Sequence, residues 1–145
     1  MTSYKEVIST AGPEDIITSA IDSLNELADE LDEWYDSMSE NLKNGDKANT
    51  IQEASSTIRS MATDLEAIDT DDEHFYPDAR ITYTTSQKTR KAKQPSRQVR
   101  FDNITAALTA LQLFYSSVDD EDSHNTIIDT LGDTIQEVEI PGAWG

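Results

Sequence analysis

The chain has 145 residues, with 29 Asp and Glu against 11 Lys and Arg, so its formal net charge is −18. That length suits one domain with its own core, and the lack of Cys excludes disulfides, zinc ribbons, Cys nucleophiles and iron–sulfur sites. No apolar run reaches the length of a membrane span, about 20 residues, or forms a signal peptide. We therefore expect a cytoplasmic protein that does not bind membranes.

The charge is unevenly distributed along the chain. Residues 79–101 contain seven basic residues and no acidic residue, a net charge of +7. The other 122 residues contain four basic and all 29 acidic residues, a net charge of −25. An acidic body repels nucleic acid, whereas a basic segment can contact it. The sequence therefore presents two surfaces of opposite charge.

Two helices are predicted over residues 13–68. The first runs from Pro13, which suits a first helical turn, to Leu42, and Gly45 is expected to end it in the left-handed conformation. The second starts behind Asn49 and Thr50, which can both cap a helix. In each helix apolar residues recur at alternating spacings of three and four and form an apolar seam along one side. The first seam is Ile17, Ile21, Leu24, Ala28, Leu31, Tyr35, Met38 and Leu42, and the second is Ile51, Ala54, Ile58, Met61, Leu65 and Ile68. The short connection predicts an antiparallel helical hairpin.

A β-hairpin is predicted over residues 79–101. Ile81 and Tyr83 alternate with polar residues, and so do Val99 and Phe101, which predicts two strands with one buried apolar face. The polar and basic residues between the two strands are expected to form the tip of the hairpin.

Two further helices are predicted over residues 102–139. Asp102 or Asn103 can cap the first of them, and an irregular tail follows over residues 140–145. The inward residues are Ile104, Leu108, Leu111, Tyr115 and Val118 in one helix, and Ile128, Leu131, Ile135 and Val138 in the other. The predicted fold is thus mainly α, a single domain over 1–145 with a projecting β-hairpin.

No pattern of catalytic or metal-binding residues is found. Asp29, Asp32, Glu33 and Asp36 have the spacing of magnesium ligands in all-α nucleoside-triphosphate pyrophosphatases. The second helix lacks matching carboxylates, and the seams of both helices are apolar where ligands should project. We therefore predict a protein that is not an enzyme, with no metal and no cofactor.

The outer face of the first helix carries a regular row of carboxylates, the acidic ridge. Its members recur at spacings of four and three: Asp22, Glu26, Asp29, Glu33, Asp36 and Glu40. The row is about 27 Å long, with neighbours about 5 to 6 Å apart, close to the spacing of phosphates along a nucleic-acid strand. It can fill a groove built for phosphates, or it can be an ordinary solvated face.

The basic segment also allows two interpretations. Its candidate binding residues are Lys88, Arg90, Lys91, Lys93, Arg97 and Arg100. They can grip phosphates, or they can pair with the acidic helices of this chain or of a second copy.

Three stretches together resemble a family of small acidic proteins encoded by phages and mobile elements. They are LNELADELDEWYDSMSENL at 24–42, the second helix with its spaced Ala, and VEIPGAWG at 138–145. That family has an LADEM-EW-DNM-like helix and a VEFPG-like ending, has no assigned activity, and lacks the basic segment. The resemblance implies a phage or mobile-element origin inside a bacterial cell.

The leading hypothesis is an interaction protein whose acidic ridge binds a basic protein, such as a host nucleic-acid-binding enzyme, as a nucleic-acid mimic or inhibitor. One alternative is an accessory protein that binds nucleic acid through the basic hairpin. The other is a structural or assembly protein that forms homo-oligomers through the helical seams and the basic arm.

Overall fold

The fold is mainly α with one two-stranded antiparallel sheet, so the predicted class is confirmed. A computed structural model describes residues 4–68, 78–88, 96–117, 131, 132, 134, 135 and 140. The elements are β1 (Tyr4–Ala11), α1 (Pro13–Ser37), α2 (Glu40–Lys43), α3 (Asp46–Glu66), β2 (Ile81–Lys88) and α4 (Arg97–Ser117). Of the described helices, none is both long and apolar enough to cross a membrane.

Helix α1 begins at Pro13 as predicted but ends at Ser37, five residues before the predicted end at Leu42. The Ser37 hydroxyl donates to the Trp34 carbonyl at 2.8 Å, and Met38 is extended. Ser39 then caps α2 by accepting the Leu42 N–H at 3.4 Å. Serine side chains that bond nearby backbone compete with a continuing helix, which explains the break. Leu42, predicted to lie inward, is 61% exposed.

Helices α1 and α3 pack side by side. Trp34 of α1 lies near Lys47 of α3, whereas Asp29 of α1 lies near Arg59 of α3. The two helices therefore run in opposite directions. Helix α3 begins at Asp46, before the predicted caps, and its N-cap Gly45 has φ −91°, not the left-handed conformation predicted for it. All six apolar residues of the predicted second seam are buried.

Strand β2 pairs with an N-terminal strand that the sequence analysis did not predict. Strands β1 and β2 are antiparallel, with Ala11 opposite Ile81 and Tyr4 opposite Lys88. The predicted hairpin between the strand at Ile81 and a second strand at Val99–Phe101 is therefore wrong. Only Gly12 separates β1 from α1, so the strand leads directly into the long helix.

Val99 and Phe101 belong to helix α4, which begins at Arg97 rather than at the predicted caps Asp102 or Asn103. The Ser96 hydroxyl accepts the Val99 N–H at 3.3 Å, and the Ser96 carbonyl accepts the Arg100 N–H at 2.9 Å. Both bonds are typical of a helix start. The buried side chain of Phe101 then continues the inward row of Ile104 and the residues that follow it.

One apolar core joins the elements. Side chains of α1, α3 and α4 supply most of it, and Ile81 of β2, Leu131 and Ile140 complete it. The Ile135 N–H donates to the Leu131 carbonyl at 2.9 Å, a helical turn within the predicted fourth helix. The rest of that helix, including Ile128 and Val138, and the tail after Ile140 lie outside the described residues.

Candidate functional site

The acidic ridge lies on the solvent side of α1. All six of its carboxylate residues are exposed. Asp22 to Asp36 share one unbroken helix, a row of about 21 Å, whereas Glu40 stands on α2 beyond the break. The predicted ridge is therefore five residues long on α1, and Glu40 is not part of its continuous row.

One flank of the ridge is tied to α3 through Arg59. The Arg59 guanidinium donates to Asp29 Oδ1 at 2.8 Å and to Asp32 Oδ2 at 2.6 Å, and the Ser55 hydroxyl donates to Asp32 Oδ1 at 2.6 Å. The Ser55 bond is the main cause of a lowered pKa of Asp32, and the Arg59 bond adds to it. Asp29 therefore has a cation beside it, unlike most of the ridge.

The other flank is tied to α4 through Glu30, which lies between the ridge and the core. Arg100 donates to the Glu30 carboxylate through Nη1 at 2.7 Å and Nη2 at 2.8 Å, and Arg97 donates through Nε at 3.2 Å. The Arg100 bonds are the main cause of a lowered pKa of Glu30, and they raise the pKa of Arg100 in turn. Two predicted nucleic-acid contacts thus pair with this chain's own acidic helix.

Of the other predicted basic residues, the structure describes Lys88 alone. Lys88 ends β2, with its ammonium 4.4 Å from the centre of the Tyr4 ring. Arg90, Lys91 and Lys93 lie outside the described residues. The predicted placement of Arg97 and Arg100 on a β-hairpin over residues 79–101 is wrong, because these two residues form the first turn of α4. Their pairing with Glu30 of α1 agrees with the interpretation that the basic segment pairs with the acidic helices of this chain.

The remaining ridge carboxylates keep their charge open to solvent. Within the described part of the chain, Asp22, Glu26, Glu33 and Asp36 form no ion pair. The charges that flank them on α1 are neutralised by arginines of α3 and α4. The ridge thus carries four carboxylates that form no ion pair in the described part of the chain, with the ion-paired Asp29 among them. Of these four, Glu26 lies within the electrostatic influence of Arg100.

An open groove lies beside Glu33 at the C-terminal end of α1. It has a volume of about 340 Å³ and is lined by Glu30, Glu33, Trp34, Ser37 and Arg97. The Trp34 ring has two cations near it, Arg97 Cζ and Lys47 Nζ, each 5.2 Å from the ring centre. Such distances are typical of cation–π contacts.

A second cavity, of about 260 Å³, lies between α1, β2 and α4, beside Glu26 of the ridge. The hydroxyls of Ser19 and Ser23 line it together with Glu26 and Arg100. Among the described residues no hydrogen bond joins either hydroxyl to the Glu26 carboxylate. The described groups lining this cavity therefore do not form a paired nucleophile and base.

Several residues of the site were missed by the sequence analysis. Glu30, Arg59 and Trp34 shape both borders of the ridge, and Asn103 bonds the Ser86 N–H and carbonyl of β2, each at 2.8 Å. One pattern in the sequence does indicate the true start of α4: Phe101, Ile104, Leu108, Leu111 and Tyr115 are spaced by three and four. This row includes Phe101 in the helix, so the helix begins before the predicted caps and contains Arg100.

Comparison of the chain with protein-family models, curated proteins and solved structures found no match. The residues that the structure describes bring no three His, Asp or Glu side chains into a metal-binding group.

Proposed function

We propose that this protein is a non-enzymatic interaction protein that binds a basic protein through the acidic ridge of α1. The observation that carries the proposal is the row Asp22, Glu26, Glu33 and Asp36, which is exposed and forms no ion pair among the described residues. Like charges three or four residues apart, as in Asp22 with Glu26 and Glu33 with Asp36, destabilise a helix. A basic partner relieves that repulsion, so binding and the helix support each other.

The partner chemistry follows from the geometry of the row. The row consists of two pairs of carboxylates about 5 to 6 Å apart, Asp22 with Glu26 and Glu33 with Asp36, and the ion-paired Asp29 lies between them. Such pairs on a rigid helix suit a surface that binds a nucleic-acid strand, because its cations are spaced for phosphates. Such a partner includes the host nucleic-acid-binding enzymes, and the ridge then acts as a nucleic-acid mimic. The association is expected to weaken as salt rises, because both surfaces are exposed.

Direct binding of nucleic acid by the basic segment has less support. Arg97 and Arg100 already pair with Glu30, so two of the six candidate residues are engaged within the chain. The surrounding body is also strongly acidic and repels phosphates.

The test uses a labelled synthetic peptide of alternating arginine and serine at about 50 mM salt, where charge contacts are strongest. The ridge variant carries Asp22→Asn, Glu26→Gln, Glu33→Gln and Asp36→Asn. We expect it to bind about tenfold more weakly than the wild type. Fluorescence anisotropy of the peptide measures the affinity.

The matched control removes four negative charges from exposed positions away from the ridge: Glu6→Gln, Glu53→Gln, Glu66→Gln and Asp78→Asn. It keeps most of the affinity if the ridge is the binding surface. Equal losses in both variants would show that only net charge matters, and a wild type that does not bind at this salt would refute the proposal.

A further inference from the structure

The groove beside Trp34 has the chemistry of a site for a guanidinium group. Its residues on α1, Glu30, Glu33, Trp34 and Ser37, lie at spacings of three and four and so share one face of the helix. Glu33 belongs also to the acidic ridge, so the groove is continuous with the surface of the proposed function. One aromatic ring, two carboxylates and a hydroxyl meet there.

A guanidinium already occupies part of this groove. Arg97 of α4 lies 5.2 Å from the centre of the Trp34 ring and donates to Glu30 through Nε. A planar guanidinium stacks on indole and bonds carboxylates at the same time, which an ammonium does less well. The Lys47 ammonium lies equally close to the ring, 5.2 Å from its centre, so the indole alone accepts either cation. What Arg97 adds is its bond to Glu30, and this combination of ring contact and carboxylate bond suits a guanidinium.

The end of α1 favours a cation for a second reason. The helix stops at Ser37 and has no basic residue in its last turn. The aligned peptide dipoles give the helix end a partial negative charge, which a cation stabilises. The Trp34 and Tyr35 carbonyls there accept bonds from the Ser37 hydroxyl and the Met38 N–H. Trp34 and Ser37 both lie in that last turn.

Arg97 is held less firmly than its neighbour Arg100. Its one bond to Glu30 is 3.2 Å long, whereas Arg100 makes two of 2.7 and 2.8 Å. Its side chain is 28% exposed, against 18% for Arg100. If the Arg97 side chain moves away from Glu30, the Glu30 carboxylate keeps both hydrogen bonds from Arg100. Displacement of Arg97 therefore does not leave a half-buried carboxylate without a partner.

We infer that this groove is the arginine-binding subsite of the acidic face, and that an arginine of the basic partner enters it in place of Arg97. The inference rests on the proposed function and adds to it the position and identity of one contact. Arg97 then acts as an internal competitor that lowers the affinity of the ridge for its partner.

The experiment follows Trp34 emission in the Trp144→Phe background, titrated with the arginine–serine peptide and with a lysine–serine peptide of the same length. Binding is measured in parallel by anisotropy of each labelled peptide. We expect the arginine peptide to change Trp34 emission along its binding curve, and to do so more than the lysine peptide. We also expect Arg97→Gln to tighten arginine-peptide binding about threefold relative to Arg80→Gln.

Arg80→Gln is the matched control, because it removes the same charge from an exposed residue just before β2. A second pair compares Glu33→Gln in the groove with Asp22→Asn at the far end of the ridge, and the former is expected to lose more affinity. Both comparisons are made by anisotropy, so they do not depend on the emission of Trp34.

The outcomes separate the two proposals. Peptide binding with unchanged Trp34 emission, or equal affinities of Arg97→Gln and Arg80→Gln, overturns the subsite while the ridge remains a binding surface. Absence of peptide binding by anisotropy refutes both. Equal emission changes with arginine and lysine peptides overturn the preference for a guanidinium.

Discussion

Glu30 is the residue on which the contact between α1 and α4 most depends. Its carboxylate receives both Nη groups of Arg100, whose side chain is only 18% exposed. The Nε of Arg100 is buried and has no hydrogen-bond partner among the described residues. The guanidinium thus relies on Glu30, since a half-buried cation without its carboxylate is costly.

We predict that Glu30→Gln lowers the free energy of unfolding by about 2 kcal/mol, because it replaces charge-assisted bonds to Arg100 with weaker ones. Urea unfolding followed by circular dichroism measures the change. Glu33→Gln is the control: Glu33 is exposed and forms no ion pair within the described residues, so little loss is expected. Equal losses would contradict the role given to Glu30.

The contribution of Glu30 should depend on pH. The hydrogen bonds from Arg100 depress the pKa of Glu30 below its ordinary value of 4.5. A group whose pKa is lower in the folded state stabilises the fold above its unfolded pKa, and that contribution disappears as pH falls through the folded pKa.

The stability difference between wild type and Glu30→Gln should therefore be constant above pH 4.5 and shrink at lower pH. Urea unfolding of both proteins from pH 7 downward measures it. The difference is the informative quantity, because protonation of the acidic surface also changes the stability of each protein alone. A difference that persists at the lowest pH at which both fold would refute the assignment.

At the scale of elements, the pairing of β1 with β2 joins the start of the described chain to its middle. Thr10 and Thr82 face each other across the two strands, with their hydroxyl oxygens 3.2 Å apart, and both residues are exposed. Their side chains are close enough for a disulfide if both are replaced by Cys.

We predict that Thr10→Cys with Thr82→Cys forms an intramolecular disulfide on mild oxidation, because the chain contains no other Cys. Mass spectrometry detects the loss of two hydrogens, and the bridge should raise the melting temperature because it closes a long loop. Thr10→Cys with Thr84→Cys, a diagonal pair, is the control and should oxidise more slowly. Equal oxidation rates would contradict this register.

At the scale of the whole molecule, negative charge is concentrated and only partly compensated. The net charge is −18, and four carboxylates of the ridge that lack an ion partner within the described part lie on one face of α1. Self-repulsion of this kind destabilises a compact state and is screened by salt.

We predict that the melting temperature rises between 0.1 M and 1 M NaCl, as the screening length falls from about 10 Å to about 3 Å. The ridge variant that lacks four of these carboxylates should melt higher than the wild type at low salt and gain less from added salt. Differential scanning calorimetry measures both quantities. A wild type that loses stability with added salt would show that attractive ion pairs outweigh the repulsion.

The sequence by itself determined the two long helices and their acidic outer face. Spacings of three and four over 18 residues or more have one structural solution, a helix with one buried side, and Ile58 and Leu31 are buried as expected. Exposure of Asp22 and Asp36 follows from the same periodicity, because they lie opposite the apolar seam.

Tertiary structure decided what the shorter segments became. An alternating strand such as the one around Ile81 and Tyr83 can pair with any other strand, and in the folded chain its partner is β1. Val99 and Phe101 fit a strand or a helix locally, and the apolar row that continues into α4 favoured the helix. That choice placed Arg97 and Arg100 against Glu30, because long-range ion pairs depend on which elements pack together.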